Sequence, residues 1–376
     1  MSDLLVPAAG RLPSNAAYLA HLEAAARDPT LIRLASNENT ELPSPRVREA
    51  LTRAYDDANL YPPLVAPLRL ALAERFGVGV ERVLVGAGST ELIEATLRAF
   101  VRADDEVVVA VPSWPVCRAR LEALEARIVD VPLSVEAESY AFDVEALLAA
   151  VTPRTKLIVV CTPNNPTGNS LARGDVRRLA EAGPILLVDG AYADFDPETD
   201  LAPLVHEHQR IVLTRTFSKA YSLAGLRLGY ALGDAGVLDY VGRFLLPASS
   251  VSTATLHAGL AALEDEEHHR RQVERIRTER ERVLTGLRGL GARAFDSRGN
   301  FVAVDASAYP GGPSALAAAL LEQGVLVRVM DERLVRMTTG RPEENDALLA
   351  ATAASRLARS PSRPAVRQRR RGAPPC

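Results

Sequence analysis

Lysine is almost missing from this 376-residue chain: of its 44 basic residues only Lys156 and Lys219 are lysines, which leaves 42 arginines. Where a positive charge alone would serve, the chain uses arginine. A lysine that remains is a candidate for chemistry needing a primary amine, because an ammonium can lose its proton and form a Schiff base while a guanidinium cannot readily do so. Cysteine is scarce as well. Cys117, Cys161 and Cys376 are an odd set without CxxC spacing, which excludes a disulfide framework and a zinc site, and no metal is expected. Long apolar runs are absent, and the opening residues lack the basic segment and apolar core of a signal peptide. These features read as a cytoplasmic protein with no membrane partner. At 47% hydrophobic and 24% charged residues, the composition is that of a folded globular chain.

Net charge is also small, a formal −3, but it is unevenly placed. Residues 355–376 hold seven arginines and no acid, so the preceding body stands at −10. An acidic body argues against nucleic acid as a partner, and the Arg/Pro/Ser-rich tail reads as a solvated, disordered extension.

Strand-length apolar runs recur at 107–111, 157–160, 185–188, 211–213 and 230–232, with helical stretches such as 118–125 and 175–181 between several of them. That alternation predicts a parallel sheet with crossover helices. Beyond residue 254 the pattern changes to one long charged helix over 258–287, followed by short strands near 301–304, 325–328 and 334–337, which reads as a smaller α+β lobe. The predicted organisation is an N-terminal segment joining the small domain (1–50), a large domain (51–250), a small C-terminal domain (251–354) and the tail (355–376).

In open parallel sheets, ligands bind beyond the carboxyl ends of the strands, and several suggestive residues fall there. Gly86-Ala-Gly-Ser-Thr-Glu precedes a helical pattern and suits either an anion cradle or a capped glycine turn. Pro163-Asn-Asn-Pro brackets two amides in a rigid turn. Asp189 ends a strand, with Tyr192 three residues on. Lys219 sits among hydroxyls in Thr216-Phe-Ser-Lys-Ala-Tyr, and Arg227 follows eight residues later. Lys156, in contrast, looks like a charge at a strand edge.

Taken in order, Ser36-Asn-Glu-Asn, Tyr61-Pro, Gly86-Ala-Gly-Ser, Pro112-Ser-Trp, Pro163-Asn-Asn-Pro-Thr-Gly, Asp189 with Tyr192, Thr216-Phe-Ser-Lys-Ala-Tyr, Leu223-Ala-Gly-Leu-Arg, Val325-Leu-Val-Arg and Leu334-Val-Arg-Met-Thr-Thr-Gly resemble the fold type I pyridoxal-phosphate aminotransferases, most closely the histidinol-phosphate branch. The resemblance implies a three-layer α/β/α large domain with a mostly parallel sheet, like that of aspartate aminotransferase, plus a smaller α+β domain. It implies pyridoxal 5'-phosphate as cofactor, held covalently by Lys219, which would also carry the substrate Cα proton. Asp189 would face the ring nitrogen, Asn165 and Tyr192 the ring oxygen, and Trp114 the ring face. Gly88, Ser89, Thr90, Thr216, Ser218 and Arg227 would hold the phosphate, with Tyr61 supplied by the partner subunit of a homodimer. Asn37, Arg328 and Arg336 would meet the substrate, Arg336 taking its carboxylate and Arg328 a distal phosphate.

The implied reaction moves an amino group between an amino acid or amino-alcohol phosphate and a 2-oxo acid. Decarboxylases, cyclases and oxidative deaminases use the same scaffold and lysine, and stand as the alternative. The sequence departs from the histidinol-phosphate pattern at Pro13-Ser14-Asn15, where an aromatic residue usually follows the proline, at Gly190, and at Cys117. These departures predict an intact cofactor shell and a rebuilt substrate pocket.

Overall fold

The computed structural model describes residues 15–62, 65–246 and 250–355. Pro13 and Ser14, and the predicted tail beyond Ser355, lie outside them. In chain order the strands are β1 (Ile32–Arg33), β2 (Val83–Gly86), β3 (Glu106–Val111), β4 (Arg127–Pro132), β5 (Ser134–Glu136), β6 (Ser139–Ala141), β7 (Thr155–Cys161), β8 (Ile185–Asp189), β9 (Ile211–Thr216), β10 (Gly229–Gly233), β11 (Arg293–Ala294), β12 (Phe301–Asp305), β13 (Val325–Leu326), β14 (Arg328–Val329) and β15 (Leu334–Thr338).

Seven of them form one sheet in the order β2-β10-β9-β8-β7-β3-β4, with every strand but β10 running the same way. Central strands such as β3, β7 and β8 are rich in Val, Ile and Leu because both faces are covered. The two-residue period sorts their side chains. Val108, Ile158, Val188 and Leu213 face one apolar layer. Val107, Val109, Leu157, Val159, Leu187 and Val212 face the other, where Leu92, Ile93 and Leu97 of the helix Ser89–Phe100 cover them. Each such buried side chain contributes roughly 1.5–3 kcal/mol, and together they make a three-layer body.

β10 departs from the parallel expectation for a reason of chain length. Only residues 217–228 separate it from β9, and they hold a short 3-10 turn, Ala224–Leu226, rather than a crossover helix. A connection of that kind returns the chain antiparallel. The loop so formed carries both Lys219 and Arg227.

The long helix expected over 258–287 is two helices, Thr253–Glu264 and Glu266–Gly289. Asp265 breaks them: its carboxylate accepts from the His268 backbone N–H at 3.2 Å and from Ser44 Oγ at 2.5 Å, the behaviour of an N-cap. Likewise the expected strand at 325–328 is split. β13 pairs with β1 in parallel, while β14 joins the sheet β11-β12-β15-β14. The N-terminal strand is thereby tied to the small-lobe elements, and the segment after it meets the loops that follow β8 and β9, through Asn37 to Tyr192 and Ser36 to Lys219.

Candidate active site

The lysine-bearing loop meets the strand ends of the large sheet, the N-terminal strap and β15. Lys219 is half-buried, and its Nζ donates to the Ser36 carbonyl at 2.9 Å and lies 5.9 Å from the centre of the Tyr192 ring. Burial, reinforced by the nearby Arg336 and Arg227 cations, pulls its ammonium down to about 7. Lys156, by contrast, is exposed on β7.

Asp189 ends β8 and is buried beside Cys161, its register partner on β7. It accepts from the Ala191 backbone N–H at 3.1 Å, yet burial still raises its carboxyl to about 6. A buried acid in that state is stabilised by a cation or an N–H placed against it. Trp114 precedes the helix Pro115–Ala123 and, with Ser113, Cys117, Cys161 and Asp189, lines a small cavity. Cys117 belongs to that wall; none of the cavity's lining comes from Asn37, Arg328 or Arg336. Its thiol, pushed up to about 12 by burial, is inert at neutral pH. This departure from the family pattern therefore sits beside Asp189 and Trp114. Gly190 also has a local cause: a Cβ there would come within 2.9 Å of the Thr214 carbonyl oxygen.

Tyr192 accepts from Asn37 Nδ2 at 3.0 Å and from Asn165 Nδ2 at 3.2 Å, while Phe301 meets its ring edge-on at 5.1 Å. Two amide donors occupy the phenol oxygen's lone pairs, and burial raises its pKa. Tyr192 thus keeps a proton to donate. Asn165 is aimed by a rigid turn in which Gly168 N–H donates to the Asn164 carbonyl at 2.7 Å and Asn164 Nδ2 to the Pro112 carbonyl at 2.9 Å. Two residues past Tyr192, Asp194 binds Arg215 at 3.1 Å and lies 3.4 Å from His269. Burial alone would raise this acid, but Arg215 and His269 hold it well below the usual range. The pairing fixes the Tyr192 loop between β9 and the helix Glu266–Gly289.

On the other side of Lys219, Gly88 has φ +83° and opens the helix Ser89–Phe100 without a side-chain cap. The first-turn N–H groups of Ser89 and Thr90 therefore face outward as free donors in the helix's own ladder. Arg227 stands over them, so near that a Cβ on Gly88 would lie 2.5 Å from its Nη2. It also donates to Ser218 Oγ at 3.2 Å, and Ser218 Oγ lies 3.0 Å from Thr216 Oγ1. Gly229 allows the strands to meet here: a Cβ would fall 2.3 Å from the Ser89 nitrogen. We expect Gly229→Ala to destabilise the protein by about 2–3 kcal/mol and to loosen this cradle, as urea unfolding would measure.

Arg336 of β15 donates to Asn165 Oδ1 at 2.6 Å and to the Ala35 carbonyl at 2.7 Å. Asn37, fully buried at φ +52°, is held by Thr338 Oγ1 through its backbone N–H (2.9 Å) and side-chain carbonyl (3.1 Å), and by Asn300 Nδ2 on its own carbonyl (3.0 Å). Arg328 lies beside Arg336 on β14 and contacts His21. The sequence-predicted residues thus gather in one place, Tyr61 excepted: its ring is 88% exposed. Sequence reasoning missed Asn300, His21 and Cys161; Thr338 lay inside a quoted motif, whereas an isolated histidine carries no signal.

These groups fit pyridoxal phosphate. A buried carboxylate answers a ring nitrogen, a phenol and an amide answer a ring oxygen, a planar indole answers a ring face, and a guanidinium over free N–H groups answers a phosphate.

Comparison with known proteins agrees. The chain matches the family Aminotransferase class I and II over residues 29–351. It is 40% identical over 331 residues to a histidinol-phosphate aminotransferase 2 of Caulobacter vibrioides, covering 86% of each chain. It is 39% identical over 344 residues to an aromatic amino acid aminotransferase of Rhodococcus opacus, covering 90% of this chain and 94% of that one. The histidinol-phosphate aminotransferase of Sinorhizobium meliloti, solved with pyridoxal-5'-phosphate, superposes with a TM-score of 0.84 at 28% identity, over 94% of this chain and 97% of the other. The chain therefore belongs to the class I and II aminotransferases, as a pyridoxal-phosphate-dependent enzyme of fold type I close to the histidinol-phosphate branch.

Proposed function

We propose that the enzyme transfers an amino group between an amino acid or amino-alcohol phosphate and a 2-oxo acid, with Lys219 as the catalytic amine. The observation that carries this reading is the state of Lys219. Burial brings its ammonium down to about 7, and it lies where a buried acid, a phenol and an anion cradle come together.

The bound cofactor supplies a carbonyl that condenses with amines and a ring that withdraws electrons from the substrate Cα. The chain's own groups do the rest. Lys219 Nζ, neutral for a large part of the time at pH 7, would take the Cα proton and return it to the carbon of the cofactor's carbonyl group. Asp189 keeps the ring nitrogen protonated. Tyr192 donates to the ring oxygen, with Asn165 and Asn37 fixing its orientation. Trp114 covers the ring face, and Gly88, Ser89, Thr90, Thr216, Ser218 and Arg227 grip the phosphate. Arg336, already paired with Asn165, takes the substrate carboxylate as a fork in place of the Ala35 carbonyl.

The experiment is a half-reaction. With an amino donor and no acceptor, absorbance should move to that of the aminated cofactor and stay there until a 2-oxo acid is added. Absorbance that returns to the starting form without an acceptor would mean a lyase. A screen that includes histidinol phosphate, glutamate and aromatic amino acids then identifies the donor.

We also propose a homodimer in which Tyr61 serves the partner subunit's phosphate site. Its exposure, shared with Tyr55 at 81% and Leu60 at 58%, supports an apolar contact surface there. Light scattering should give twice the chain mass, and Tyr61→Phe should weaken cofactor retention by about tenfold while the dimer persists. A fully active monomer would refute this.

A further inference from the structure

One side chain of the helix Glu266–Gly289 touches the anchors of both loops that carry the central groups of the site. His269 sits in the first turn of that helix, its side chain only 13% exposed. Its imidazole lies flat against the Tyr221 ring, with centroids 4.3 Å apart and planes 25° from parallel. At its rim the buried Nε2 lies 3.4 Å from Asp194 Oδ1. A carboxylate oxygen only accepts, so Nε2 carries a proton. No step of the reaction described above uses this histidine.

Asp194 belongs to the turn that aims Tyr192. Ala193–Phe195 form a 3-10 turn that starts on Tyr192, whose carbonyl accepts the Phe195 N–H at 3.0 Å, while the Ala193 N–H returns to the Gly190 carbonyl at 3.1 Å. A shift of the Asp194 carboxylate therefore tilts the residue two positions before it. The same Oδ1 accepts from Arg215 of β9 at 3.1 Å, so one oxygen joins the turn, the strand and the helix. Tyr221, itself buried, anchors the other loop. Leu223 N–H closes that loop onto the Phe217 carbonyl at 3.1 Å, Ser222 N–H reaches the Lys219 carbonyl at 3.2 Å, and the Tyr221 ring packs on Phe217 at 4.7 Å. Lys219 is held inside this closed loop, two residues before Tyr221, and its Nζ meets the Tyr192 ring at 5.9 Å. An imidazole suits the place because it joins a flat face to an N–H at the rim. Phenylalanine offers only the face, and glutamine only the N–H.

We propose that His269 is a positioning residue that sets Tyr192 and Lys219 relative to each other: its Nε2 holds the Tyr192 turn through Asp194, and its ring face holds the Lys219 loop through Tyr221. The proposal rests on the roles given above to Lys219 and Tyr192.

The two contacts are separable, and the full chain tests them with two variants. Tyr192 donates to the ring oxygen and so favours the deprotonated state of the bound chromophore, which makes the pH at which the visible band shifts a report on its alignment. Tyr192→Phe should raise that pH by about one to two units. His269→Phe, which keeps the face and loses the N–H, should raise it by about half a unit to one unit, whereas His269→Gln should leave it near the wild-type value. The rate of cofactor capture by the cofactor-free protein reports on Lys219. It should fall about two- to tenfold in His269→Gln, the loss of one ring contact, and hold in His269→Phe. In a Tyr192→Phe background, His269→Phe should move the band no further. Where Tyr192→Phe behaves as expected, a further shift in that background, equal effects of both His269 variants on both readouts, effects the other way round, or no effect would each overturn the proposal. Amide exchange in the cofactor-free protein needs neither assigned role: it should quicken over residues 191–196 in His269→Phe and over 217–223 in His269→Gln. Unchanged exchange in both would overturn the inference. Exchange that changes in this way while Tyr192→Phe leaves the band unmoved, or while borohydride leaves Lys219 unlabelled, would leave His269's role standing and sink those assignments instead.

Discussion

Lys219→Arg should abolish transamination, by at least about 10^4-fold, although it preserves the charge. Two jobs fail together. Guanidinium stays protonated, so it neither condenses with the cofactor carbonyl nor accepts the Cα proton. In the native protein burial, with help from Arg336 and Arg227, brings the ammonium of Lys219 down to about 7. A neutral amine is therefore available at physiological pH, and cofactor capture should accelerate as pH rises through about 7 and then level off. Borohydride reduction followed by peptide mapping should find the label on Lys219. Label on the exposed Lys156, or retained turnover in the Arg variant, would refute the assignment. A Lys219→Ala variant that regains some turnover with added methylamine would separate lost chemistry from lost folding.

Why this lysine was legible and other parts were not is a matter of which constraints are local. Scarcity of lysine and the hydroxyl-rich context of Lys219 are written in consecutive residues. So are the Val/Ile runs of β3, β7 and β8, whose two-sided burial demands apolar residues throughout. The direction of β10 was written too, in the shortness of its connection to β9, but strand runs alone do not express it. The break at Asp265 was hidden because charged helical residues continue on both sides, and only the cap contacts to Ser44 and His268 reveal it. Val327 between β13 and β14 looked like the middle of one strand because its neighbours pair with different sheets, a fact of tertiary structure. The site shows the same division. Motif residues between 36 and 340, Tyr61 apart, come together around Lys219, while His21 and Asn300 act through contacts hundreds of residues away in sequence.

Asp189→Asn should show that function at this position is maintained against stability. Burial raises the Asp189 carboxyl from 3.8 to about 6, even with the Ala191 N–H, Cys161, Lys219 and Thr214 acting to lower it. An unfolded aspartate titrates near the ordinary value, so between about pH 4 and pH 6 the folded cofactor-free protein binds more protons than the unfolded chain. Its stability must fall as pH rises across that window. Above about pH 6 the full cost of a buried, ionised Asp189 is present, about 3 kcal/mol from a displacement of roughly two pH units. Asparagine keeps an acceptor for the Ala191 N–H and never ionises. The cofactor-free variant should therefore be more stable than wild type at pH 8, by about 1–3 kcal/mol in urea unfolding, and the difference should close toward pH 4. With cofactor bound the order should reverse in function: the ring nitrogen loses its counter-charge and turnover falls by about 10^3-fold. The added cofactor should also raise the unfolding midpoint of wild type more than that of the variant, because only the carboxylate gains a cationic partner. A cofactor-free variant no more stable than wild type at pH 8 would mean that Asp189 is already ionised without cost. Its burial beside Cys161 would then have no part in preparing it for the ring nitrogen.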